Sequence, residues 1–65
     1  MKLRTWRKRQ KLTQQEVADK LGTSQALVAK WELGTHAPSI RSAGKILAVT
    51  KGAVTLKDLL GARRA

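Results

Sequence analysis

Residues 14–31, QQEVADKLGTSQALVAKW, hold two short amphipathic runs on either side of Gly22, and this pair constrains the fold more than any other segment. Thr13 with Glu16 three residues later forms a capping box, and Leu12 with Val17 takes the positions of a hydrophobic staple, so the first run has a fixed start. Its apolar stripe is Val17, Ala18 and Leu21, and Gly22 supplies the left-handed residue that ends a helix predicted over 14–21. Ser24 then caps a helix predicted over 25–33, with Val28 and Trp31 facing inward and Gly34 placed to end it. Helices this short cannot bury their faces alone, but they brace each other at a large angle across a Gly turn. Ala18 lies where they cross, and a larger side chain there would push them apart.

The rest of the chain is helical by the same signals. Apolar residues recur three or four apart, and no segment alternates long enough for a strand. A first helix over 3–10 carries Leu3 and Trp6 on one face and is otherwise basic. Pro38 disfavours helix at Ala37, and Ser39 caps a helix over 39–49 with Ile40, Ala43, Ile46 and Leu47 expected inside and Gly44 weakening it. Residues 50–53 read as a connection. Thr55 and Asp58 then form a second capping box, and Val54 and Leu59 a second staple, for a fifth helix over 55–60. The expected fold is all-α, with five short helices in one domain over 1–61 and a frayed basic tail over 62–65.

A chain of 65 residues builds one core, which stabilises a domain of this size by roughly 3–5 kcal/mol. There is no cysteine for a disulfide, and a single histidine cannot supply a structural zinc, so no metal or other cofactor is implied. Fourteen Lys and Arg against four Asp and Glu leave a formal charge of +10. That charge implies a polyanionic partner, with a nucleic-acid backbone ahead of an anionic membrane and of plain solubility. Two tryptophans without tyrosine or phenylalanine give little platform for splayed bases, which points away from single strands and towards a duplex. No apolar run reaches the length of a membrane span or a signal-peptide core, so a soluble cytoplasmic protein is expected. Glu16, Asp19, Glu32 and Asp58 are accounted for by caps or surface, no nucleophile has a paired base, and no enzyme is expected.

The outward face of the third helix is Ser24, Gln25, Ala26, Ala29 and Lys30, a mixture of short, amide and cationic side chains suited to the floor of a DNA groove. It carries no carboxylate, and Glu32 sits at the far end. The competing structural reading is a helical hairpin with no role on DNA.

The run LTQQEVADKLGTSQALVAKWELG resembles the core motif of the Cro and C1 repressor family of phage and bacterial regulators, also called the xenobiotic-response-element family. The resemblance continues through Pro38 and Ser39 and through GAVTLKDLL, covering nearly the whole chain. It implies a compact lambda-repressor-like domain whose recognition helix, 25–33, enters the major groove of double-stranded DNA. Gln14 would then touch phosphate, helped by the amides at its helix's positive end. Gln25 would be the principal base reader, because a Gln amide pairs bidentately with adenine N6 and N7. Ala26 and Ala29 would meet thymine methyls or simply allow close approach, and Lys30 would reach guanine or a phosphate. Leu27 would pack on the groove wall or cover the edge of the core. The family pattern also pairs an arginine of the first helix with the glutamate ending the recognition helix, here Arg7 and Glu32, as a structural ion pair.

Two positions depart from that pattern. Lys11 stands where family members commonly carry Gly, so the first helix ends differently or Lys11 bears strain. Leu33 replaces a residue usually polar or basic, leaving Thr35, His36, Ser39 and Arg41 as candidates for gripping the DNA backbone. His36 reads more simply as a solvated loop residue.

The resulting expectation is a sequence-specific transcriptional regulator, a Cro-like repressor, on a two-fold operator. It would bind as a homodimer, with no small-molecule ligand. Val54, Leu56 and Leu60 either leave an apolar patch for that dimer or close the core. The alternative is an interaction protein such as an antitoxin that binds DNA secondarily, although no disordered acidic tail is present to wrap a partner. A cationic membrane-active peptide is disfavoured by the two capping boxes and repeated glycines.

Overall fold

Local signals at each helix end set the course of the chain. In the computed structural model, which describes residues 1–61 and their side chains as far as Leu59, five helices and no strand are found among the described residues. They are α1 (Leu3–Arg9), α2 (Gln14–Leu21), α3 (Gln25–Leu33), α4 (Ile40–Val49) and α5 (Leu56–Gly61). The expected tail over 62–65 and the side chain of Leu60 lie outside the described residues.

The starts of four helices are chemical. The Thr13 hydroxyl accepts the Glu16 N–H at 3.0 Å while the Glu16 carboxylate accepts the Thr13 N–H at 2.8 Å, completing the capping box of α2. Ser24 accepts from the Leu27 N–H at 3.2 Å and Ser39 from the Ser42 N–H at 3.1 Å. Thr55 and Asp58 bond reciprocally at 3.0 and 3.1 Å ahead of α5. Each satisfies amides that a helix start leaves without partners.

The ends of α1 to α4 share one geometry. After each helix a residue turns left-handed and the next N–H reaches back to a carbonyl five residues earlier, as in Leu12 to Arg7 at 3.1 Å and Thr23 to Ala18 at 2.9 Å. Gly22 (φ 69°) and Gly34 (φ 82°) take the left-handed position after α2 and α3. Lysines take it after α1 and α4, at Lys11 (φ 58°) and Lys51 (φ 53°). The helix α1 thus ends where a Gly would have ended it, and Lys11 carries the strain.

The core is Leu3 and Trp6 of α1, Val17, Ala18 and Leu21 of α2, Val28 and Trp31 of α3, Ala43 and Ile46 of α4, and Val54 and Leu59 around α5. Ala18 is fully buried, as the α2–α3 crossing requires. Val17, Val28, Ile46 and Val54 are also fully buried, each contributing roughly 1.5–3 kcal/mol.

Two expectations for the apolar residues are corrected. Ile40 points out, 90 % exposed, because the buried stripe of α4 runs through Ala43, Ile46 and Thr50 and Ile40 lies roughly a quarter turn round the helix from it. Leu47 is half-buried at the margin of that stripe. Of the proposed dimer residues, Val54 closes the core and Leu56 is exposed.

Thr50, expected to be mere connection, is buried. Its hydroxyl donates to the Ile46 carbonyl at 2.7 Å and accepts from the Val54 N–H at 3.2 Å, joining the end of α4 to the approach to α5.

Candidate nucleic-acid interface

The packing of α2 on α3 leaves the outer face of α3 open. Gln25, Ala26 and Lys30 are exposed and Ala29 is half-buried among them. Ser24 is exposed at the helix start, with its hydroxyl engaged in the cap. Leu27, at the edge of this face, is about one-third exposed, at 38 %.

Behind this face runs a continuous chain of polar contacts. Arg7 donates from Nε to Glu32 Oε2 at 2.7 Å and from Nη2 to Glu32 Oε1 at 3.0 Å, and its Nη1 holds the Leu12 carbonyl at 3.0 Å. Glu32 Oε1 also accepts from Gln14 Nε2 at 3.1 Å, and Gln14 Oε1 accepts from Gln25 Nε2 at 2.5 Å. The two charged side chains are 13 % and 4 % exposed. Glu32, by its hydrogen bond first and its charge in addition, raises the Arg7 guanidinium above its usual range against the opposing effect of burial. The pair resembled in sequence is therefore formed. The two glutamine contacts, by contrast, were not legible, since residues 14, 25 and 32 meet only after α2 and α3 cross.

Gln14, expected at a phosphate, thus has its side-chain amide turned into this chain of contacts. Arg4, Arg7, Gln14, Ala29, Glu32 and Leu33 line a cleft of about 290 Å3 beside the open face. Leu33 stands 78 % exposed there.

The candidates for gripping a backbone lie around the α3–α4 loop. Thr35, Ser39 and Arg41 are exposed, as is His36. The Thr35 hydroxyl donates to the Lys30 carbonyl at 3.3 Å, and Ser39 is occupied as the cap of α4 while its hydroxyl donates to Ser42 Oγ at 3.2 Å. Among the described residues Arg41 and Lys30 have no side-chain hydrogen bond or ion pair. No group of three or more His, Cys, Asp or Glu is placed to hold a metal, and no helix is long and apolar enough to cross a membrane, again among the described residues.

Two braced helices, the second open along a basic and amide-bearing face, define a helix-turn-helix DNA-binding domain. A helix-turn-helix family model matches residues 3–57, and the chain belongs to that Cro/C1-type family. Its fold is the lambda-repressor-like helical one, and the family is a DNA-binding rather than an enzymatic one. Comparisons with curated proteins and with solved structures gave no match. The chain is thus a helix-turn-helix regulator that binds double-stranded DNA.

Proposed function

We propose that the chain is a sequence-specific transcriptional repressor of the Cro kind, working in the cytoplasm on the nucleoid. It reads a two-fold operator as a homodimer, each copy laying α3 in the major groove of one half-site about one helical turn from the other. The observation that carries this reading is the contact of Gln25 with Gln14, which holds a base-reading amide at the start of α3. Ser24, Gln25, Ala26, Ala29 and Lys30 face the base edges, with Gln25 on adenine, the alanines beside thymine methyls, and Lys30 on guanine or a phosphate. Gln14 grips phosphate through its backbone N–H, which at the first position of α2 has no helical partner. Thr35, Ser39 and Arg41 hold the backbone beyond the loop, and repression follows from occupying the operator.

Selection from a random duplex library tests the reading. A palindromic enriched site is the expected outcome, and Gln25→Ala should then weaken binding to it by about 1–3 kcal/mol while sparing unrelated DNA. Absence of any enrichment would overturn it. The antitoxin-like reading draws on the exposed Leu33 and Ile40, which offer a protein partner an apolar foothold. Stoichiometric co-purification with a neighbouring gene product, and no enriched site, would favour that second reading.

A further inference from the structure

We infer that Leu33 reads the C5-methyl group of a pyrimidine in the major groove, so that at one operator position 5-methylcytosine serves in place of thymine and plain cytosine does not. This rests on the reading given above that α3 lies against the bases.

The outer side of α3 carries an apolar stripe along its length. Leu33 follows Ala26 by seven residues and Ala29 by four, and the helical repeat returns it to the same side of α3, about 10 Å beyond Ala26. Leu33 and Ala29 line one cleft beside the open face, and Leu33 is 78 % exposed. It belongs neither to the core nor to the apolar residues packed against the core, so the domain itself makes no use of this side chain. The approach to it is open to a polyanion. Glu32, the one carboxylate of α3, is paired with Arg7 and 4 % exposed, and the exposed Arg4 borders the cleft.

Duplex DNA offers an exposed leucine few partners. A phosphate gains nothing from an apolar side chain and loses water beside it. Leu33 is also the last residue of α3, where the negative end of the helix dipole disfavours an anion. The apolar group displayed in the major groove is the methyl on C5 of thymine, and a methyl on C5 of cytosine stands at the same edge. Unmethylated cytosine and uracil leave the leucine facing a gap at that point.

The experiment takes the duplex enriched by selection and replaces its thymines one at a time by uracil, which keeps the base pair and removes only the methyl. At one position the wild type is expected to lose affinity by roughly three- to tenfold, the worth of one methyl buried against leucine. Leu33→Ala and Leu33→Asn should show no loss there, while thymines met elsewhere keep their uracil effect. At the same position 5-methylcytosine should bind the wild type roughly three- to tenfold better than cytosine does, and neither variant should distinguish the two. Thermal melting confirms that both variants fold, as the exposure of Leu33 leads one to expect. If every thymine keeps its uracil effect in the variants, if they lose one common factor on all duplexes, or if 5-methylcytosine binds the wild type no better than cytosine, the inference is overturned while α3 keeps its place in the groove. If selection enriches no duplex, the base-reading role of α3 falls and the inference with it.

Discussion

Arg7 and Glu32, 25 residues apart in sequence, are joined by a two-pronged ion pair that ties α1 to the end of α3. Both side chains are largely withdrawn from water, so removing one partner leaves the other charge uncompensated. Arg7→Leu should cost about 3–5 kcal/mol, the usual penalty for breaking a buried pair from one side. That is comparable to the whole stability of a domain this small, so the variant should be largely unfolded at room temperature by circular dichroism. The double variant Arg7→Leu with Glu32→Leu should recover much of the loss, because well-packed apolar replacements of buried pairs are often neutral. A single variant that melts within a few degrees of the wild type would show the pair to be only a surface contact.

Lys11 has a left-handed backbone, φ 58°, at the end of α1, where a side chain is strained. Left-handed geometry costs an L-residue roughly 1–2 kcal/mol, which glycine does not incur, although glycine gives back part of the gain through its freer unfolded state. Lys11→Gly should raise stability by about 1 kcal/mol and the thermal midpoint by about 4–8 °C. A lower midpoint would mean that the lysine side chain makes a compensating contact.

How much of this was legible in the sequence depended on range. Helix starts at Thr13, Ser24, Ser39 and Thr55 were readable because a cap is a contact within three residues. Lys11 stood out because a family glycine position demands a left-handed residue. Ile40 misled because apolar spacing alone does not fix the centre of the buried stripe, which packing sets on Ala43, Ile46 and Thr50 and from which Ile40 lies roughly a quarter turn away. The glutamine contacts escaped because their partners depend on the crossing of two helices and on which atom of each amide faces inward.

Thr50 escaped because a polar residue in a connection reads as surface. Its hydroxyl instead gives the Val54 N–H a partner in the core. Thr50→Val keeps the volume and leaves that N–H unsatisfied, a change that should cost about 1–3 kcal/mol in denaturant melts. Thr50→Ser, which keeps the hydroxyl, should lose less. Equal losses for the two would assign the effect to packing of the methyl group.

Arg41 projects from the first turn of α4 without an internal partner among the described residues, and in the proposed complex it neutralises one phosphate. Arg41→Ala should weaken binding to specific and unrelated duplexes alike, and should reduce the slope of log affinity against log salt by about one. An unchanged slope would remove Arg41 from the backbone contacts.

Asp58 provides a pH test. Its carboxyl is lowered from 3.8 to about 2, first by the Met1 ammonium at 2.7 Å and then by the Thr55 N–H and hydroxyl at 3.0 and 2.9 Å. Because the folded value lies below the unfolded one, the carboxylate's contribution is complete above the unfolded value and is lost as pH falls through the folded value. The gap in thermal midpoint between the wild type and Asp58→Asn should therefore be constant from about pH 5 to neutrality and shrink towards pH 2. The ion pair is partly solvated, so the gap should be small and should narrow further in high salt. A gap that persists undiminished at the acid end would mean that the side chain acts by its shape in the cap of α5 and not by its charge.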